Sequence, residues 1–319
     1  MSERDPGVNR VYVAPISFGL GDLVVSLPAI QALIARGREP RVETWLVARS
    51  AAQARLADRI VGLTGWVGEE SFDRDDHDGH FVDLRDHPLE RDWWWGSAEF
   101  EDAFGTLSIN DILSRICADF GIPADFTRPT PLAALPRPEL GSSVILVTES
   151  DGASKQWSVD GWRTLADGLR ARELDVQMLT RDEAAPEMRA LGIVEARAPS
   201  PGEALDVIGA ARAVIGIDTG LTHLAVQQGT PTVTICRAPA VYFRPWPHTA
   251  AVVGDRCDDA CIAAEKEYAY NDRVDLRGFR RQPRICPVGG RCLDAVQPED
   301  VLAALARALR RDSRATARR

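Results

Sequence analysis

The sequence has no hydrophobic run long enough to cross a membrane. Its apolar stretches, such as 211–217, are strand-length and fall short of the roughly 18 residues that a span requires. The first ten residues are polar and of mixed charge, unlike a secretory signal. Cysteine is limited to 6 residues, and glycine and proline form no repeat, which excludes disulfide scaffolds and collagen-like chains. These absences predict a cytoplasmic globular protein, whose 319 residues suffice for two domains of about 150 residues each.

Lysine is also scarce, with only Lys155 and Lys266 beside 36 arginines, a bias typical of GC-rich bacterial coding. The net charge of −9 lies entirely in residues 1–140, which hold 14 arginines and 23 acidic residues. Nucleic acids and anionic lipid surfaces are bound through clustered positive charge, so the acidic half argues against both partners. The alternative meaning of an acidic half is solubility alone.

Strand-length apolar runs alternate with amphipathic helical segments along most of the chain. The pattern predicts strands at 10–16, 42–48, 80–84, 144–148, 175–179, 213–217 and 232–236, with helices between them, among them 23–37, which contains Pro28, and 159–170. A proline-rich stretch, 127–143, separates two such series and is interpreted as a linker. Alternation of this kind predicts parallel sheets with right-handed crossovers, hence an α/β fold of two Rossmann-like domains with a cleft between them. We place these domains at 1–135 and 136–297, followed by a C-terminal helix and basic tail at 298–319.

The first candidate site is the turn around Gly19 and Gly21, which links the first predicted strand to a helix. Glycines there allow the backbone to approach a ligand closely. Val24 replaces the third glycine of a dinucleotide fingerprint, so NAD or FAD binding is not favoured. Asp22 would lie at the carboxyl end of the strand, where open α/β sheets bind ligands, unless it only caps the helix.

Two more candidate sites lie in the second half of the chain. Lys155 follows the first predicted strand of that half and can meet a phosphate group, or it can be an ordinary solvated lysine. The stretch from Asp218 to His223 follows the apolar strand at 213–217 and opens a helix. Backbone N–H groups at such a helix start form an anion site, although a simple helix cap has the same appearance.

Taken together, three stretches resemble the heptosyltransferase family of glycosyltransferases: GLGDLVVSLPAIQAL from Gly19, SKQWSVDGW around Lys155 and IDTGLTHLAVQQGTPTV around Asp218. They span most of the chain, and DTGLTHLA is the most specific of them. The resemblance implies the GT-B architecture, with the sugar acceptor on the N-terminal domain and a nucleotide sugar, most often ADP-heptose, on the C-terminal domain. It also implies transfer with inversion and no cofactor required for catalysis.

Site roles follow from the resemblance residue by residue. It makes Asp22 the catalytic base, which is chemically reasonable because the acceptor hydroxyl must lose a proton. It makes Lys155 a ligand of the donor phosphates, where a cation stabilises the leaving diphosphate. The further donor-binding residues that it implies are Glu183, Asp218, Thr219, Gly220, Leu221, Thr222 and His223.

Some features of the sequence depart from the best-known members, which act on the anionic core of lipopolysaccharide. The acidic N-terminal half indicates a neutral or cationic acceptor, such as a natural product. A donor other than ADP-heptose, for example a GDP-sugar used in antibiotic biosynthesis, stays open. So do a nucleotide-sugar epimerase or hydrolase of the same fold and a non-catalytic nucleotide-binding module, although the presence of all three motifs disfavours the module.

Three groups of residues have less specific patterns. Trp93, Trp94 and Trp95 are consecutive, so they either stack on an acceptor sugar or fill a loop that packs into the core. Four thiolates could hold a structural zinc, the alternatives being reduced thiols or a disulfide; these are Cys257, Cys261, Cys286 and Cys292. The histidines at 77, 80 and 87 lack metal-ligand spacing and are interpreted as part of a solvated loop.

Overall fold

The computed structural model describes residues 9–36, 42–75, 77–91, 107–150, 155–238, 240–256 and 291–316. The strands are β1 (Asn9–Ala14), β2 (Val42–Ala48), β3 (Gly65–Gly68), β4 (His80–Asp83), β5 (Ser143–Val147), β6 (Asp175–Thr180), β7 (Val194–Arg197), β8 (Ala213–Ile217), β9 (Thr232–Ala238) and β10 (Thr249–Arg256). The helices are α1 (Leu20–Arg36), α2 (Ala51–Ala57), α3 (Pro88–Arg91), α4 (Ile109–Asp119), α5 (Val159–Arg170), α6 (Pro186–Arg189), α7 (Pro201–Ala210), α8 (Gly220–Gln228) and α9 (Pro298–Thr316). Among the described helices, none is long and apolar enough to cross a membrane.

The strands form two parallel sheets, as the alternation of strands and helices predicts. The first sheet has the order β3-β2-β1-β4 and the second has the order β10-β9-β8-β5-β6-β7. In the first sheet, successive strands are added on one side of β1 until β4, which is added on its other side. In the second sheet the same change of side occurs between β5 and β8. At such switch points the connections leave to opposite sides, and a crevice opens outside the carboxyl ends of the strands. Asp22 follows β1, Lys155 follows β5 and Asp218 follows β8, so all three lie at these crevices.

Both faces of the second sheet are buried, which is typical of parallel sheets. On β5, Ile145 and Val147 belong to a core that extends to helix α1 and the first sheet. Their neighbours Val144 and Leu146 point to the other face, into a core closed by α5 and α9. Alternate side chains of β5 therefore pack into two different cores, and one of these cores joins the two sheets.

The proline-rich stretch between the sheets is held in place by side chains of the helices. Gln228 at the end of α8 accepts from the Leu132 N–H at 2.6 Å and donates to the Leu132 carbonyl at 3.2 Å. Asp206 on α7 accepts from the Leu135 N–H at 2.7 Å and forms a two-point ion pair with Arg59, at 3.1 and 3.0 Å. Residues 132–135 are therefore anchored to both halves of the fold.

The predicted elements agree with the observed ones wherever burial is complete. Strands β2 and β8 and helix α5 have the predicted bounds. Three strands, β3, β7 and β10, were not predicted, and each of them lies at an edge of its sheet. Pro28 is buried in the interior of α1, because the helix begins at Leu20, three residues earlier than the apolar pattern indicates. The predicted domain boundaries at 135 and 297 stay predictions.

Candidate functional site

The N-terminus of α8 lies directly after the fully buried strand β8. Thr219 is its N-cap residue, yet no side chain caps the helix. The Thr222 hydroxyl is already used, since it donates to the Ile217 carbonyl at 2.6 Å and is buried. The amide groups of the first turn, which have no partner inside a helix, therefore face the crevice without a side-chain cap, as in anion-binding helix starts.

Lys155, Asp218 and His223 form a cluster at this helix start. Lys155 Nζ lies 2.8 Å from Asp218 Oδ2, and His223 Nε2 lies 2.9 Å from Asp218 Oδ1. The Lys155 and Asp218 side chains keep 24% and 20% of their surface exposed, so a ligand can reach them. Lys155 is placed by Trp157, whose buried indole donates to the Val296 carbonyl at 3.3 Å.

The electrostatics of the cluster favour an ionised aspartate beside a neutral histidine. Burial by itself would raise the pKa of Asp218, but Lys155 and His223 outweigh burial and lower it. Burial, together with the positive charges of Arg244 and Lys155, lowers the pKa of His223, although the neighbouring Asp218 acts to raise it. Lys155 offers three N–H donors, so one can bind Asp218 while others remain for an anionic ligand.

Arg244 lies behind His223 and is only 1% exposed. Its Nη1 donates to Gln227 Oε1 at 2.8 Å, its Nη2 donates to the His223 carbonyl at 3.1 Å, and Nη2 lies 3.5 Å from His223 Nδ1. Burial lowers the pKa of Arg244 to about 9, against the opposing attraction of Asp218, so the guanidinium stays charged at neutral pH. The Cζ atom of Arg244 lies 5.2 Å from the centroid of the Trp246 ring.

The turn before α1 carries Gly19, Gly21 and Asp22 to the same place. Asp22 Oδ2 accepts from the Gly19 N–H at 2.8 Å. The carboxylate therefore does cap the start of α1, which was the alternative to a role in the site. The fully buried Gln53 fixes the turn by donating to the carbonyls of Ser17 and Gly19, at 2.8 and 2.9 Å. A β-carbon on Gly21 would lie 3.1 Å from His223 Cδ2, so α1 begins directly against the cluster.

A network of charged residues lines the carboxyl edge of the first sheet. The fully buried guanidinium of Arg49 pairs with Asp83 and Glu69 and donates to the Pro15 carbonyl at 2.9 Å. Arg74 pairs with Asp83 at 2.6 Å and with Asp86 at 3.5 Å, so three carboxylates face the three arginines. Arg85 pairs with Glu69 at 3.4 Å and lies 5.0 Å from the Phe18 ring. The arginines of this edge are thus neutralised by carboxylates.

Three threonine hydroxyls at the carboxyl edge of the second sheet are buried. Thr148 follows β5, Thr180 ends β6 and Thr219 follows β8, which are neighbouring strands of the sheet. Within the described part of the chain, none of their oxygens has a hydrogen-bond partner. Unsatisfied hydroxyls are costly to bury, so their concentration at one edge is typical of a functional surface.

Other predicted site residues are placed elsewhere. Glu183 follows β6 at the same edge of the sheet, but its carboxylate faces Arg189 at 3.0 Å and Arg197 at 3.6 Å. His77 packs among aromatic rings, with Phe72 at 5.2 Å. Among the described residues, no cluster of three or more histidine, cysteine, aspartate or glutamate side chains could hold a metal ion.

The tryptophans at 93–95 and three of the four zinc-candidate cysteines, Cys257, Cys261 and Cys286, lie outside the described residues. Cys292 is buried in the short 3₁₀ turn Arg291–Leu293. The zinc site and the aromatic acceptor contact therefore stay predictions.

Sequence reasoning missed Arg244, Gln53 and Arg49. Each is a polar side chain whose role depends on contacts with segments distant along the chain, so spacing carries no information about it. Arg244 alone left a weak signal, because an arginine between prolines and aromatic residues, in YFRPWP, is a poor choice for a solvated loop.

Comparison with known proteins finds one similar family and several similar solved structures. Residues 133–270 match the family model described as glycosyltransferase family 9 (heptosyltransferase). No curated protein matches the sequence at a significant level. Among solved structures, a family 9 glycosyltransferase from Veillonella parvula is similar, with a TM-score of 0.62 and 12% identity over 94% of this chain and 97% of that one.

Two structures from Escherichia coli share the fold as well. The ADP-heptose lipopolysaccharide heptosyltransferase II has a TM-score of 0.55 and 14% identity, over 96% of this chain and 99% of that one. The iron-containing dodecameric glycosyltransferase TibC has a TM-score of 0.60 and 18% identity, over 95% of this chain and 79% of that one. The two parallel sheets therefore form a GT-B fold like that of these structures, and residues 133–270 are similar to glycosyltransferase family 9 (heptosyltransferase).

Proposed function

We propose that this enzyme transfers a sugar from a nucleotide-sugar donor, ADP-heptose in the first instance, to an acceptor hydroxyl, with inversion at the anomeric carbon. The observation that carries the proposal is the contact between the starts of α1 and α8. It brings the turn of Asp22 against the cluster of Lys155, Asp218 and His223. If Asp22 is the base and the cluster binds the diphosphate, the two would be adjacent, as displacement at an anomeric carbon requires.

The donor diphosphate would bind at the start of α8. The uncapped amides of its first turn, the helix dipole and the exposed part of Lys155 all favour a negative group there. Related structures support the donor class, since Escherichia coli WaaC was solved with ADP and with ADP-2-deoxy-2-fluoro heptose. TibC was likewise solved in complex with ADP-D-beta-D-heptose.

In the reaction, Asp22 would accept the proton of the acceptor hydroxyl as its oxygen forms a bond to the anomeric carbon. The bond from that carbon to the diphosphate oxygen breaks, and the nucleoside diphosphate leaves with the electron pair. Lys155 and the amides of α8 would stabilise the negative charge that develops on the leaving group. These groups would supply the leaving-group stabilisation, so the proposal includes no catalytic cofactor. A structural zinc on the four cysteines is a separate proposal.

The acceptor would be neutral or cationic rather than an anionic lipopolysaccharide core. The charge of residues 1–140 supports this proposal, and so does the carboxyl edge of the first sheet. There the guanidinium groups of Arg49, Arg74 and Arg85 are paired with carboxylates, which leaves little positive charge to bind phosphates.

The first experiment measures the melting temperature with ADP, GDP, UDP, CDP and dTDP. A ligand that binds only the folded state raises the melting temperature by mass action, so a selective shift identifies the donor nucleotide. ADP is expected to give the largest shift, and Lys155→Met is expected to reduce it. A larger shift with another diphosphate would replace ADP-heptose as the donor, and no shift with any of them would contradict the donor site.

A turnover assay then distinguishes a transferase from an epimerase, a hydrolase or a non-catalytic binding module. Incubation of the matching nucleotide sugar with a panel of neutral, amine-bearing and phosphorylated glycosides is expected to yield a glycosylated neutral or cationic product with inverted configuration. Conversion of the donor without acceptor would indicate an epimerase or hydrolase. Efficient transfer to a phosphorylated lipid A core would contradict the proposed acceptor class.

A further inference from the structure

Arg244 is an unusual residue for the interior of a domain. It is only 1% exposed, and the described acceptors of its guanidinium are neutral: Gln227 Oε1, the His223 carbonyl and, at the limit of hydrogen bonding, His223 Nδ1. Its Nε is buried without a partner in the described residues, as is Gln227 Nε2. A charge buried without a carboxylate in contact is costly to the fold. A residue retained at such a cost is a candidate for a role in the site beside it.

The two nitrogens of His223 face groups of opposite character. Asp218 Oδ1, which as part of a carboxylate can only accept, lies 2.9 Å from Nε2. Arg244 Nη2, which can only donate, lies 3.5 Å from Nδ1. A proton on Nδ1 would point at a guanidinium, and an imidazolium would carry that proton too. Only the neutral imidazole with its proton on Nε2 satisfies both neighbours.

We propose that Arg244 is a positioning residue that holds His223 in the neutral tautomer with the proton on Nε2, so that His223 donates to Asp218 and Asp218 holds Lys155. The charged groups that act on His223 are Asp218 after β8, Lys155 before α5 and Arg244 after β9. Two further near neighbours among the described residues are Tyr242, whose ring lies 5.7 Å away, and Gly21 at the start of α1.

This arrangement has a consequence for charge. With Lys155 and Arg244 positive, Asp218 negative and His223 neutral, the four groups carry a net charge of +1. That charge stands at the start of α8, where the proposed donor diphosphate would bind, and the part of the inference that concerns the donor rests on the proposed function. Arg244 thus supplies a buried positive charge that does not vary across neutral pH, which a titrating histidine could not do.

The first test uses the unaltered protein and needs no substrate. The chain has 5 histidines, so long-range proton–nitrogen correlation spectra of a ¹⁵N-histidine-labelled sample can resolve each imidazole, with His223→Gln to assign the signal. His223 is expected to be neutral with its proton on Nε2 from about pH 6.5, the ordinary histidine pKa, upward. A proton on Nδ1, or an imidazolium at neutral pH, would overturn the inference.

The second test removes the guanidinium. In Arg244→Met, the pKa of His223 is expected to rise, so that the imidazolium persists to a higher pH than in the unaltered protein, because Asp218 still attracts the proton and Arg244 no longer opposes it. Arg244→Lys keeps a charge near Nδ1 and is expected to keep His223 neutral. The matched control is Arg59→Met, which removes an arginine that is 22% exposed and pairs with Asp206, not with this cluster. If Arg244→Met and Arg59→Met left the His223 spectrum equally unchanged, Arg244 would have no positioning role. Should Arg244→Met fail to fold, Arg244→Lys and the unaltered protein still decide the question.

The third test is the pH profile of the donor KM. The unaltered enzyme is expected to show a flat KM through the range in which His223 would otherwise titrate. In Arg244→Met the net positive charge is expected to be lost as His223 deprotonates, so the donor KM should rise with pH by about tenfold, equivalent to about 1.4 kcal/mol. A flat profile in Arg244→Met would overturn the link to the donor. Absence of any turnover would contradict the proposed function alone, since the spectra do not depend on it.

Discussion

Gly21 and Gly220 pack against each other without a side chain between them. A β-carbon placed on Gly220 would lie 2.8 Å from the Gly21 amide nitrogen and 2.9 Å from the Leu20 β-carbon. The starts of α1 and α8 can approach this closely only because both positions are glycine. This approach places the positive ends of two helices, one from each half of the fold, around the same crevice.

Gly220→Ala is therefore expected to separate the two helix starts and to reduce kcat about 100-fold, as misplacement of reacting groups by about 1 Å does. Gly21→Ala should be milder, because the nearest atom to its β-carbon would be His223 Cδ2 at 3.1 Å, a longer approach than the 2.8 Å at Gly220. Gly141→Ala serves as the control, since it is helical in φ and its nearest contact would be 3.5 Å. Equal activity in all three variants would show that the contact has no role in catalysis.

Asp22→Asn tests the proposed base with little change of structure. An asparagine oxygen can still accept from the Gly19 N–H, which the Asp22 carboxylate does now at 2.8 Å. The amide cannot take a proton, so kcat is expected to fall by about 100- to 10,000-fold, with donor affinity and melting temperature nearly unchanged. An equal loss of donor affinity, measured by titration with the nucleotide, would assign Asp22 to donor binding instead.

Much of the fold was predictable because burial leaves a mark on sequence. Strand β8 is apolar throughout, and α5 begins after a serine that caps it, so both were predicted at their observed bounds. The missed strands β3, β7 and β10 are all at sheet edges, where one side lacks a neighbouring strand. Edge strands are short or partly polar, like the VEAR of β7, and such segments lack a clear period.

The site was less predictable than the fold. Asp22, Lys155 and Asp218 could be singled out because each follows a predicted strand, and parallel strands bring their carboxyl ends to one edge. What the sequence could not reveal was which partners they meet. That Lys155 meets Asp218, or that Arg244 lies behind His223, depends on contacts between segments that are distant along the chain. Such contacts exist only after the sheet has formed.

Stability should fall on acidification, with a contribution from His223. Its pKa is lower in the folded protein, so below about pH 6.5 the unfolded chain takes up a proton that the folded state resists. The free energy of unfolding therefore decreases as pH falls from about 6.5, and the lowered pKa of Asp218 adds a further loss near the ordinary aspartate pKa of about 4.

Urea titrations between about pH 7 and pH 5 measure this slope, and His223→Gln is expected to reduce it while keeping the loss near pH 4. His87→Gln, which changes a largely buried imidazole that is paired with Asp119, far from the cluster, is the control. An unchanged slope in His223→Gln would mean that His223 is protonated equally in both states.

The ion pair between Arg59 and Asp206 should contribute to stability but not to the site. Asp206 is 7% exposed at its side chain and also accepts from the Leu135 N–H. Asp206→Leu would leave both donors without their acceptor, at an expected cost of about 3 kcal/mol in the free energy of unfolding. Arg59→Met should cost less, because the carboxylate keeps Leu135. Urea denaturation measures the difference, and equal losses would mean that the backbone contact contributes nothing.

Lys155 distinguishes the role of charge from that of geometry at the donor site. Lys155→Met removes the cation, and with it one partner of Asp218, so kcat/KM for the donor is expected to fall by about 100- to 1,000-fold. Lys155→Arg keeps the charge but replaces a compact ammonium with a planar fork, which should restore donor affinity more than kcat. The reason is that the ground state needs only a nearby cation, whereas the leaving oxygen needs a donor at a defined position. Steady-state kinetics of both variants, with donor affinity from nucleotide titration, separate the two effects. Full activity of Lys155→Met would remove Lys155 from the site, and an arginine variant as inactive as the methionine one would show that position matters more than charge.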